Sequence, residues 1–127
     1  MSNLAPSPQA YREGAVLAAS REQLVVMLYD GARRFLRQGA VAMRGGEIER
    51  AHNMLRRAEM IIAHLDATLD LEQGLLAERL SALYSFCLAH LNRARLAQDA
   101  ALVEEVAELL GELREAWAQI AADSAAA

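Results

Sequence analysis

The chain has 127 residues, 54% of them hydrophobic but only 5% aromatic, and 27 Ala and 20 Leu supply most of that apolar content. Two Pro and seven Gly exclude a collagen-like or linker-rich chain, and scarce β-branched residues argue against a sandwich or barrel. All 13 basic residues are Arg, and 17 acids leave a net charge of −4, so no basic excess marks nucleic acid as a partner.

Residues 1–19 read as a mobile arm with a short N-terminal helical segment over 11–18, too short to hold itself without support. Ser20 and Gln23 then form a capping-box signature, since hydroxyl and amide can satisfy each other's orphan backbone donors. A first long helix is predicted from Arg21 to about Arg44, where Gly45 and Gly46 supply positive φ. From Glu47 to Leu69 the residues Ile48, Ala51, Leu55, Ala58, Ile62, Leu65 and Leu69 alternate spacings of three and four, a second helix. Gly74 precedes a third, with Leu76, Leu80, Leu83, Cys87, Leu91 and Ala94 on its stripe and an end near Gln98. Asp99 is a good N-cap for a fourth, striped by Leu102, Val106, Leu109, Leu113, Trp117 and Ile120. The expected fold is therefore all-α, an antiparallel up-down-up-down four-helix bundle over residues 20–122, with the short segment outside it and a frayed tail over 123–127.

No apolar run reaches the roughly 18 residues of a membrane span, so no membrane insertion is expected. Nor do the first residues show a secretory signal's basic-then-apolar order. Cys87 alone cannot make an internal disulfide, and a cytoplasmic location is expected.

Catalytic and metal-binding readings find little to stand on. Glu49 and His52 have the Glu-x-x-His spacing of di-metal bundles, but both fall off their helix's stripe and the motif is not repeated. His64 and His90 sit at the margins of apolar faces, and Cys87 reads as a small buried hydrophobe. No acid is spaced to orient His90 beside Ser81 and Ser85, and no glycine-rich turn offers an oxyanion or phosphate site. No enzyme activity, cofactor or metal is expected. Asp30, Arg33, Arg34 and Arg37 read as a solvated face.

The informative signal is surplus apolar surface. Six consecutive apolar residues, Leu24-Val25-Val26-Met27-Leu28-Tyr29, span about 500° of helical rotation and cannot all face one core. Val26, Met27 and Val41 point off the first helix's stripe; Leu75, Phe86, Leu88 and Leu96 point off the third's. The second and fourth helices read as cleanly amphipathic apart from Met60. Surplus side chains on two diagonal helices would open on opposite sides of the bundle, a surface suited to a partner helix.

The pattern Tyr11, Val16, Ala18-Ala19-Ser20-Arg21-Glu22-Gln23-Leu24 leading into Met27-Leu28-Tyr29-Asp30-Gly31 resembles the opening of the FliS family of flagellin-specific export chaperones. Leu55-Arg56-Arg57-Ala58 with Ile61-Ile62, then Leu80 to Tyr84 with Phe86 and Leu91, then Leu113-Arg114 with Ala116-Trp117 continue it in order over about residues 11–120. Arg21 departs from the Pro that often follows the capping Ser in that family, a change that affects only preorganisation of the helix start. The resemblance implies a cytoplasmic chaperone of type III export whose partner is the C-terminal segment of flagellin, held from premature polymerisation. It also implies that the N-terminal segment, here Tyr11, Val16 and Leu17, covers part of the groove when cargo is absent. Expected contact residues are Tyr11, Val16, Val26, Met27, Val41, Leu75, Phe86 and Leu88. A regulatory adaptor binding an anti-sigma factor or an export-gate component through the same surface, and a metalloenzyme bundle, are the alternatives.

Overall fold

A computed structural model describes residues 7–9, 18–70, 72 and 74–126. Four helices follow in order: α1 over Arg21–Arg44, α2 over Ile48–Ala67, α3 over Leu75–Ala97 and α4 over Ala100–Ala126. The expected short helix over 11–18 lies almost wholly outside the described residues.

Local chemistry sets the helix ends. The Ser20 hydroxyl accepts from the Gln23 amide at 3.1 Å while the Gln23 side chain accepts from the Ser20 N–H at 2.8 Å, closing the capping box at the start of α1. Only Gly46 of the glycine pair takes a positive φ, 74°; Gly45 stays at −80°, and the Gly45 and Gly46 N–H groups donate to the Val41 and Met43 carbonyls to cap α1. At the end of α3 a non-glycine residue does the same work, since Gln98 adopts φ 51° and its side-chain amide donates to the Arg95 carbonyl at 2.8 Å. The Asp99 carboxylate accepts from the Ala101 N–H at 3.0 Å and opens α4. That helix continues through 123–126, where fraying was expected; Ala has the strongest helix preference, and Gln119 bonds Asp123 at 2.9 Å one turn on.

The helices form a ring in which α1 packs on α2 and α4, and α3 on the same two, so α1 and α3 are diagonal. Ties between neighbours run in opposing order: Arg44 to Glu104 and Asp30 to Arg114 join α1 to α4, Asp66 to Ser81 and Glu59 to Arg95 join α2 to α3. Each pair is therefore antiparallel. Tyr29, Leu36, Leu55, Ile62, Tyr84, Cys87, Leu91, Val103, Val106 and Leu110 fill the centre.

Several stripe assignments change in three dimensions. Ile48 and Leu76 are 64% and 67% exposed, because each occupies the first turn of its helix beyond the reach of a neighbour. On α4 the buried line is Val103, Val106, Ala107 and Leu110; Leu102, Leu109, Leu113 and Trp117 are half-buried at its flank and Ile120 is exposed. The reason lies at Arg33, which was expected on a solvated face. Its Nε donates to the Ala107 carbonyl at 3.0 Å, and its guanidinium lies across Gly111, where a Cβ would approach within 2.9 Å of Cζ. Small residues turn toward α1 because that side chain fills the space.

Candidate partner-binding surface

Among the described residues, two extended apolar regions lie outside the bundle core, and the helix geometry builds each. The first is a groove of about 620 Å³ between the start of α1 and the end of α4. Val26, Met27 and Asp30 form one wall and Ala118, Ala121, Ala122 and Ala125 the other. It exists because α4 runs past its pairing with Asp30, and because alanine side chains leave room for a closely approaching chain. Asp30 also fixes the floor: Arg114 donates to it through Nε at 2.9 Å, and this bond holds the guanidinium pKa above its ordinary value.

The second region is the outward face of α3. Leu75, Arg79, Ala82, Phe86, Ala89, Arg93 and Leu96 alternate spacings that keep them on one line, and all are exposed. Leu75 is 59%, Phe86 48% and Leu96 78% exposed. Phe86 is held rather than loose, since its ring stacks on His90 at 5.1 Å with an interplanar angle of 24°. His90 is buried and braced from both sides. Arg93 can only donate, at 2.9 Å to Nδ1, which leaves Nε2–H to donate to Glu105 of α4 at 2.6 Å.

The expected contact residues distribute unevenly over these regions. Val26 and Met27 line the groove, and Leu75 and Phe86 belong to the α3 face. Val41 is 70% exposed, toward the opposite end of α1 from the groove. Leu88 is half-buried and packed against the core, on the flank of α3 that meets its neighbours rather than on the outer line. Tyr11 and Val16 lie outside the described residues. Among residues not singled out as contacts, Leu96 completes the α3 line and Ile120 is exposed near the α4 wall. Leu96 falls on the second heptad line of α3, opposite the core line.

Exposed apolar surface is not confined to α1 and α3, since Ile48 and Met60 project from α2, of which Met60 alone was anticipated. Glu49 and His52 are both exposed on α2, and no group of three His, Cys, Asp or Glu side chains among the described residues is placed to hold a metal ion. No helix among the described residues is long and apolar enough to cross a membrane.

The family model of flagellar protein FliS matches residues 3–124. The chain is similar to the flagellar secretion chaperone FliS of Salmonella typhimurium, 40% identical across 85% of this chain and 82% of the relative. It is also similar to the proteins of that name from Bacillus subtilis, 32% identical across 87% and 82%, and from Vibrio cholerae, 35% identical across 90% and 88%.

Proposed function

The chain belongs to the FliS family of flagellar secretion chaperones, which are not enzymes, and we propose that it binds the C-terminal segment of flagellin in the cytoplasm. In this reading it keeps that segment from polymerising early and hands it on for export. The observation that carries the reading is the pair of uncovered apolar regions, the α1/α4 groove and the outer line of α3. A segment that folds as it binds loses conformational entropy, and a long apolar surface offsets that loss where one small pocket could not. Two separate regions suit a chain that passes around the bundle. Met27 adds an adaptable contact at the groove.

Calorimetric titration with a peptide spanning flagellin's C-terminal region tests this directly. Binding heat and a comigrating complex are expected, and the absence of both across a range of concentrations would overturn it. An anti-sigma factor or an export-gate component using the same surface would compete with that peptide rather than bind beside it.

A further inference from the structure

We propose that the seam between α1 and α2 is a docking site for an acidic segment of a partner chain, held by an arginine cluster built on Phe35. Arg34 from α1 and Arg57 from α2 place their guanidinium carbons 5.8 Å and 5.7 Å from the centroid of the same ring. Phe35 is half-buried and packed on the core, so it orients both cations from a fixed base. Arg50 lies two turns before Arg57 on the same side of α2, about 10 Å along the axis. All three are exposed.

Four arginines of the described residues are engaged by bonds between helices. Arg44, Arg95 and Arg114 reach Glu104, Glu59 and Asp30, and Arg33 reaches a carbonyl. Arg34, Arg50 and Arg57, like Arg21, Arg37, Arg56, Arg79 and Arg93, form no ion pair among the described residues, and of these Arg34 and Arg57 share one aromatic ring. Like charges gathered on one ring without a paired counter-charge among the described residues repel, and an external carboxylate relieves that repulsion while accepting from a planar, preoriented fork. Charge complementarity therefore selects an acidic occupant. The cluster is too short, and the chain too negative, for the extended basic face a nucleic acid needs. Carboxylates about 10 Å apart match the spacing of Arg50 and Arg57, a distance given by two helical turns or about three extended residues.

The site is separate from the groove and from the α3 face, and its test uses a probe with no apolar side chain, so it stands or falls independently of flagellin binding. A capped glutamate decapeptide is titrated onto the full chain. Binding is expected, weakening steeply from about 50 to about 300 mM salt. Arg34→Gln with Arg57→Gln should weaken it about tenfold or more, whereas Arg21→Gln with Arg79→Gln should leave it within about twofold. Thermal denaturation of each variant verifies that these exposed replacements leave the fold intact. Phe35→Leu, which keeps every charge, should also weaken binding. Equal loss in the two double variants would overturn the proposal, as would absence of binding or equally tight binding of a single-stranded DNA of matched charge. So would a dimer at high protein concentration that the decapeptide dissociates and Arg34→Gln with Arg57→Gln abolishes, since the acidic α4 of a second copy would then be the occupant.

Discussion

Tyr29 and Tyr84 meet hydroxyl to hydroxyl at 2.5 Å across the diagonal of the bundle, one on α1 and the other on α3. Both are almost completely buried, and their rings lie 6.5 Å apart at 42°. Helices that share no side of the ring are thereby joined by a polar contact inside an apolar core. Each hydroxyl depends on the other for much of its hydrogen bonding, so the pair is costly to break singly.

Tyr29→Phe or Tyr84→Phe should each destabilise the fold by about 1–3 kcal/mol, because the remaining hydroxyl is left buried without this partner. The double replacement should cost less than the sum of the two, since it leaves no such orphan. Chemical denaturation of the four proteins gives the cycle, and additive losses would show that the bond contributes little.

Burial pushes the Cys87 thiol up to about 11. It also raises both phenols, Tyr84 the further because the Tyr29 hydrogen bond adds to burial there, whereas on Tyr29 bonds with Tyr84 and Trp117 partly oppose it. A group whose folded pKa is raised holds its proton more tightly when folded. Its effect is absent below the unfolded pKa, and stability falls as pH climbs from that value toward the folded one. The melting temperature should therefore decline from about pH 8.5, where an unfolded thiol ionises, and more steeply above about pH 10, where unfolded phenols do. Cys87→Ala should flatten the first part of the decline, and Tyr29→Phe with Tyr84→Phe the second.

The same burial makes Cys87 unreactive. Iodoacetamide at about pH 8 should leave the folded protein unmodified over times that alkylate the denatured chain fully, because the thiolate is the nucleophile and little is present or reachable. Rapid labelling in the native state, followed by mass spectrometry, would contradict the packing described for α3.

Glycines at two α1 positions should respond with opposite sign. A Cβ at Gly39 would lie 2.5 Å from Cδ1 of the fully buried Leu55, so Gly39→Ala should destabilise by about 1–3 kcal/mol despite its better helix propensity. At Gly31 the nearest atom, Ile61 Cδ1, is 3.5 Å away, an ordinary contact, and Gly31→Ala should stabilise by about 0.5–1 kcal/mol. Thermal denaturation of both variants reads the difference.

For cargo binding, Met27→Glu and Phe86→Glu should each weaken flagellin binding about tenfold or more while leaving stability within about 1 kcal/mol, because both side chains are partly exposed. Leu88→Glu makes the contrast. It should destabilise the fold, since Leu88 leans on the core. Calorimetry of binding paired with denaturation of each variant separates the two effects.

The helix boundaries were legible in the chain because they depend on neighbours in sequence. The Ser20 box, Gly46, Gly74 and Asp99 act within one turn, and the observed helices start and stop there. Periodicity likewise placed Leu55, Ala58, Ile62, Leu80, Cys87 and Leu91 in the core. It also separated Met27, Val41, Leu75 and Phe86 from that core. Tertiary structure alone decided how far each helix is rotated toward its neighbours and how near they come. A rotation of one residue exchanged Leu109 for Leu110 on α4, and contact with adjacent helices half-buried Leu88 while leaving Phe86 open. Interhelical distance drew Arg33 from the solvated face onto Ala107 and joined Tyr29 to Tyr84. Spacing along one helix carries the direction of a side chain but not what stands opposite it; that depends on residues more than fifty positions away, and only packing brings them together.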